Sequence, residues 1–207
     1  MTIKIKISKK PVEYRKAIKL LENNVSKMSI NNDIPELIWV LKHNNTFTGG
    51  TSYKENDVLD KSLEVIKTNR GGKITFHGSG QLIFYFVINL NNRKKDIRWF
   101  IKLIEKTIID TLKEFKIKSF SDKKNIGIWI KQKNKKKKVG AIGLKIKKWI
   151  VFHGFSINLN VDLNNYKKIK PCGLNSSKIT NLNEIKNVKF DNLRDKLIAN
   201  FINNLKN

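Results

Sequence analysis

The 207-residue chain has a single cysteine, Cys172. One cysteine excludes an internal disulfide, which fits a reducing cytoplasm. Prolines number three, and no Pro- or Ser-rich stretch marks a linker. The chain therefore reads as one domain, residues 1–207, large enough to bury a full core. No apolar run reaches the roughly 20 residues of a membrane helix. The N-terminal alternation over residues 1–7 lacks the apolar block of a signal peptide, so no membrane association is expected. Histidines are three, and His77, His153 and Cys172 lie too far apart for a tight zinc spacing. Neither a metal nor a cofactor is expected. Acidic residues are scarce, 17 against 43 Lys and Arg, leaving a net charge of +26. Such an excess ordinarily points to nucleic acid or acidic membranes. Arginine, however, is nearly missing from it: Arg15, Arg70, Arg93, Arg98 and Arg194 are all there are. Arginine is the residue suited to bidentate phosphate and guanine contacts, so nucleic acid is not the expected partner. A chain rich in Lys, Asn and Ile is also what AT-rich codons encode.

What is present is ordered hydrophobic periodicity. Residues 1–7 alternate with period two, as a strand does. Tyr14, Ala17, Ile18, Leu21 and Val25 recur at helical spacing. Residues 37–41 and 82–90 read as buried strands. Ile97, Ile101, Ile104, Ile108, Leu112 and Phe115 predict an amphipathic helix with Asp96 near its start. Strands follow over 127–130, 140–146 and 150–159, then a helix over 191–205 with Leu193, Leu197, Phe201 and Leu205 on one side. The pattern predicts a mixed α/β fold.

Two segments stand apart from this scaffold. Arg70-Gly71-Gly72-Lys73-Ile74-Thr75-Phe76-His77-Gly78-Ser79-Gly80-Gln81 places four glycines in twelve residues. That density suits close approach of a ligand to the main chain. Its spacing fits neither a Walker phosphate loop nor the dinucleotide fingerprint. Pro171-Cys172-Gly173 puts the lone thiol between a residue that fixes φ and one that frees it. A sharp loop is a poor place to hide a small hydrophobe and a common place for chemistry.

With Lys138-Val139-Gly140-Ala141-Ile142-Gly143 and Phe152-His153-Gly154-Phe155-Ser156-Ile157-Asn158, these segments form four motifs in one order. Together they resemble the lipoyl(octanoyl) transferases over about residues 37–182. Departures lie at Lys42 and Asn44, where the family commonly has Glu and Pro, and at Ser79, where it has Pro. The resemblance implies the biotin/lipoyl protein ligase-like fold. It also implies transfer of octanoyl from octanoyl-acyl carrier protein to a lysine of a lipoyl domain, through a thioester on the enzyme. The acceptors implied are the lipoyl domains of 2-oxoacid dehydrogenase complexes and the glycine cleavage H protein. By this resemblance Cys172 is the nucleophile. Lys138 is the group that lowers its pKa and relays protons, chosen from the run Lys135–Lys138 by its adjacency to Val139. Substrate-binding positions are Arg70, Gly71, Gly72, Lys73, Ile74, Thr75, Phe76, His77, Ala141, Ile142, Gly143, Gly154, Phe155 and Ser156. Arg70 has an equally weighted role as a loop anchor. Strand alternation is expected to put Val139, Ala141 and Gly143 on one face and Lys138, Gly140 and Ile142 on the other. A free cysteine is only a few per cent thiolate near pH 7, so a neighbouring cation or base is needed. Acyl carrier proteins and lipoyl domains are acidic, and a basic face would steer them. The enzyme is expected to act as a monomer. Two rivals stand: an ATP-dependent lipoate-protein ligase of the same fold, and a basic RNA-holding module.

Overall fold

The structure, a computed structural model, describes residues 2–187 and 189–206. Met1, assigned to the first strand from the sequence, lies outside them. A seven-stranded sheet organises the chain, in the order β1-β2-β6-β10-β9-β8-β7. Its members are β1 (Ile3–Ile7), β2 (Glu36–Leu41), β6 (Gln81–Asn89), β7 (Ser119–Ser121), β8 (Ile128–Gln132), β9 (Lys135–Lys147) and β10 (Ile150–Asn158). Only the β1–β2 pair is parallel; the others run antiparallel. A second sheet pairs β4 (Val65–Lys67), β3 (Thr46–Gly49) and β5 (Ile74–His77). This mixed α/β arrangement is the expected fold class.

Each face of the large sheet is covered for a reason readable in its side chains. Helices α2 (Ile97–Glu114) and α3 (Leu193–Lys206) lie on one face. There Phe100, Ile104, Ile108, Leu197 and Phe201 pack on Ile38, Phe84, Phe86, Val151 and Phe155. Phe86 stacks on Phe201 with ring centroids 5.3 Å apart. The α2 start is held by Asp96, whose carboxylate accepts from the Arg98 and Trp99 amides at 2.9 and 3.0 Å, an N-cap. Helix α1 (Tyr14–Met28) covers the other face through Ala17, Leu21, Val25 and Met28, against Leu37, Trp39, Ile83 and Val87. The small sheet has its own core of Phe47, Ile74, Phe76, Tyr166 and Ile169.

The expected elements are present, with β9 longer than its apolar core. The lysines 135–138 are the first residues of β9, passing from exposed at Lys135 and Lys136 to buried at Lys138. The two-residue turns Lys133-Asn134 and Lys148-Trp149 carry positive φ at both positions, the geometry that suits a tight hairpin. The strands β3, β4 and β7 carry too short an apolar pattern to be read from sequence.

Candidate active site

Cys172 sits in a short turn, Pro171–Gly173, with φ 56° and ψ 22°. The left-handed region is costly for a side chain with a Cβ, and an ordered non-glycine residue there is held by its surroundings. The turn is tied down by Lys170 N–H donating to the Asp57 carbonyl at 2.7 Å and Gly173 N–H to the Lys170 carbonyl at 2.9 Å. The thiol is half-buried.

Lys138 reaches it from β9. Its ammonium donates to the Cys172 sulfur at 3.5 Å and to the Ile126 carbonyl at 2.8 Å, and only 5% of the residue is exposed. Two features the sequence reading missed make this reach possible. The first is a bulge: β8 and β9 slip register between Ile128 and Trp129, pairing Ile128 with Gly140 but Trp129 with Lys138. One extra residue reverses the alternation at that point. Val139 therefore points into the helical core while Lys138 and Ala141 line the same cavity beside Cys172. The expected face assignment, Lys138 opposite Ala141, is corrected by this bulge. The second is Gly127, at φ 136°; a Cβ there would collide with Lys138 Cε and the Gly140 carbonyl. A glycine at the edge of a strand marks such a close approach. Lys73 adds a second cation, its chain end lying against Gly173 where a Cβ would overlap it.

From Cys172 a narrow cleft of about 50 Å³ runs inward. Of the expected binding residues, Arg70, Gly72, Lys73, Thr75, His77, Ala141, Ile142, Gly143, Gly154, Phe155 and Ser156 line it. Gly71 sits beside it, in an outer groove, its N–H donating to the Leu144 carbonyl at 2.8 Å. Ile74 and Phe76 do not line it. Alternation along β5 turns them into the small sheet's core, while Thr75 and His77 face the cleft. Gly154, at φ 156°, lets β10 press against β6, since a Cβ would strike the Phe84 carbonyl. Arg70 is an anchor as well as a wall: its guanidinium donates to the Thr48 carbonyl and hydroxyl at 2.8 and 2.9 Å and to the Gly71 carbonyl at 3.0 Å. Lys42, Asn44 and Ser79, where the motifs depart from their pattern, are all exposed outside the cleft.

Behind the cleft lies a polar layer with its protons fixed by backbone carbonyls. The Asn158 amide donates to the Thr180 carbonyl, so its oxygen accepts from Gln81 Nε2 at 2.8 Å. Gln81 Oε1 is then left to accept from His77 Nδ1–H at 2.7 Å. Tyr166 joins through its hydroxyl, 3.0 Å from Gln81 Nε2. His43 Nδ1–H donates to the Val12 carbonyl at 2.7 Å, so its Nε2 accepts from the Tyr85 hydroxyl at 2.9 Å. Burial pushes His43 down to about 4, and burial with the neighbouring His43 and Arg70 charges pushes His77 down to about 3. His153 falls to about 3 through burial and the Arg70 charge. All three imidazoles are neutral at pH 7. Among the described residues, no group of three or more His, Cys, Asp or Glu is placed to hold a metal ion, and no helix is long and apolar enough to cross a membrane.

The chain matches the lipoyl protein ligase A/B catalytic domain over residues 14–202. It is 42% identical over 177 residues to the octanoyltransferase of Rickettsia canadensis (strain McKiel), covering 84% of each chain. The octanoyltransferase of Rickettsia prowazekii (strain Madrid E) is 42% identical over 178 residues, 84% of this chain and 85% of the relative. The chain belongs to the octanoyltransferase family. It is accordingly an acyltransferase. In fold it is similar to a lipoate-protein ligase A bound with ATP, with a TM-score of 0.77 at 15% identity, covering 100% of this chain and 86% of that one. A biotin protein ligase from Aquifex aeolicus in complex with biotin and ATP matches with a TM-score of 0.57 at 17% identity, covering 99% and 70%. At such identities these octanoyltransferase–ligase likenesses speak for shared architecture. Gly127 and the bulge carried no signal in the motifs, because each matters only through the partner strand it meets.

Proposed function

We propose that this octanoyltransferase moves an octanoyl group from acyl carrier protein to a lysine of a lipoyl domain through a thioester on Cys172, with residues 1–207 as one catalytic domain. The observation that carries the reading is the Lys138 ammonium 3.5 Å from the only thiol in the chain. The thiolate is the nucleophilic form of cysteine, and an ammonium within hydrogen-bond reach is placed to exchange a proton with the reacting groups. In the first half-reaction the Cys172 thiolate attacks the donor thioester carbonyl. The carrier's thiolate leaves and takes a proton from the Lys138 ammonium. In the second, the acceptor amine attacks the Cys172 thioester, passes a proton to the now neutral Lys138, and expels the Cys172 thiolate. Thiolate and ammonium are then restored, so the pair acts as nucleophile and general acid/base in turn.

The cleft supports the substrate class. Its wall of Ile83, Ala141, Ile142, Gly143, Gly154 and Phe155 is apolar and narrow. Burying about six methylenes at ~0.8 kcal/mol each would contribute about 5 kcal/mol to binding. The acceptors proposed are the lipoyl domains of 2-oxoacid dehydrogenase complexes and the glycine cleavage H protein, met in the cytoplasm by a monomer. The net charge of +26 suits acidic partners.

Intact-mass spectrometry of the chain mixed with octanoyl-acyl carrier protein, without ATP, tests the reading. An octanoyl adduct is expected on Cys172, labile to hydroxylamine and discharged by a lipoyl domain. The Cys172→Ala variant should show none. A dependence on ATP, or transfer that survives Cys172→Ala, would sink the covalent mechanism in favour of a ligase.

A further inference from the structure

The inner end of the cleft is not wholly apolar. The wall residues that it shares with neither the Cys172–Lys138 cavity nor the outer groove include Arg70, His77, Tyr85 and His153. Each is less than a tenth exposed. Two side-chain nitrogens there are buried and lack a hydrogen-bond partner: Arg70 Nε and His153 Nδ1.

Their roles are fixed by the surrounding network. The Asn69 amide nitrogen donates to Glu22 Oε1 at 2.8 Å, and a carboxylate only accepts. Asn69 Oδ1 therefore faces His153 and accepts from its Nε2–H at 3.0 Å. The neutral ring is left with a bare lone pair on Nδ1. Arg70 Nε, by contrast, carries a hydrogen and never a lone pair. The residues that wall this end thus carry one unpaired donor and one unpaired acceptor, near enough that the arginine's charge depresses the histidine. Buried polar groups in native structures are almost always satisfied, and an exception calls for a cause. The group that answers both nitrogens at once is a hydroxyl, which donates and accepts through one oxygen.

We propose that the far end of the cleft is a hydroxyl-binding site, with Arg70 Nε as donor and His153 Nδ1 as acceptor. It takes the hydroxyl of a medium-chain acyl group hydroxylated toward its tail, the two buried nitrogens turning to meet it. This rests on the acyl-transfer reading of the cleft above. Asn69 and Glu22 are positioning residues, holding the His153 tautomer.

The test compares acyl carrier protein loaded with octanoyl and with 6-, 7- and 8-hydroxyoctanoyl groups, reading kcat/KM for acyl transfer by the full chain. A purely apolar slot disfavours an added hydroxyl by about a hundredfold. The expected result is a penalty under tenfold for the best positional isomer. In His153→Phe the ratio of hydroxylated to plain kcat/KM is expected to fall at least tenfold further. A penalty of tenfold or more for all three isomers, with octanoyl transferred normally, overturns the proposal. Calorimetric binding of free 8-hydroxyoctanoate and octanoate to the wild-type chain reads the same site independently of acyl transfer and of any variant's folding. Affinities within tenfold support it, and a larger loss for the hydroxy acid overturns it. Failure of octanoyl itself to load Cys172 would instead count against the acyl-transfer reading.

Discussion

The two faces of the large sheet are built by different physics. Under α2 and α3 the contact is almost wholly apolar, with Phe84, Phe86, Phe100 and Phe201 forming an aromatic cluster free of solvent. On the opposite face, beyond the apolar residues that α1 covers, the same strands meet three histidines, two tyrosines, a glutamine and a buried arginine, each held by its own hydrogen bonds. The first face needs only hydrophobic residues of about the right size, because burial is non-directional. The second needs each donor matched to an acceptor, because a buried unpaired polar group is costly. Apolar packing supports both faces, since α1 has its own core of Leu21, Met28, Trp39 and Val87, but the chemistry is confined to the second.

That division can be broken from either side. The largest effect is expected at the mouth of the cleft. Lys138→Met removes the cation beside Cys172 and should lower kcat by 10²–10⁴-fold. Its melting temperature should stay close to the parent's, because Met, unbranched and one atom shorter, still fills most of the space beside Trp129 and Gly127. Steady-state transfer assays with thermal melts check both halves. A variant with full activity would remove Lys138 from the chemistry.

On the helical face the expectation inverts. Phe201→Ala should cost about 3–5 kcal/mol of stability through lost burial and the cavity left behind, measured by urea denaturation. The activity per folded molecule should change little. A large loss in kcat at full folding would show that the faces are not separable.

The histidine layer sharpens the comparison through pH. The folded values of about 4 for His43 and about 3 for His77 and His153 lie below the unfolded value of 6.5. Between those limits the unfolded chain binds more protons than the folded one. Stability is therefore complete above pH 6.5 and declines as pH falls, by about 1.4 kcal/mol per pH unit for each histidine that the unfolded chain protonates. Denaturation midpoints at pH 7, 6 and 5 should fall in that order, before most carboxylates titrate. A flat profile would mean that the rings are not held neutral.

How much of this was legible beforehand follows the same division. The helix through Ile97, Ile104, Ile108 and Leu112 and the run through Phe84 and Phe86 announced the helical face, because apolar periodicity is a local signal. Cys172 and its Pro-Gly frame, the glycine-rich segment and the Lys138 register were legible as motifs. The polar face was less so. Ile74 and Phe76 sit inside the motif but turn away from the cleft, whereas His43, Tyr85 and Asn69 lie outside it and help build the layer behind it.

The amino-acid sequence by itself determined the fold class, the covering of the sheet by amphipathic helices and which thiol stands apart from the core. All of these depend on residue type and spacing along one stretch of chain. Tertiary structure alone decided that Lys138 faces Cys172, because the bulge that turns it lies between β8 and β9 and the space it needs is left by Gly127. It also decided the proton positions in the histidine layer. Those are set by the Val12 and Thr180 carbonyls and the Glu22 carboxylate, brought from distant stretches of the chain. Hydrogen bonding is directional and its partners are non-local, so no one-dimensional pattern carries it.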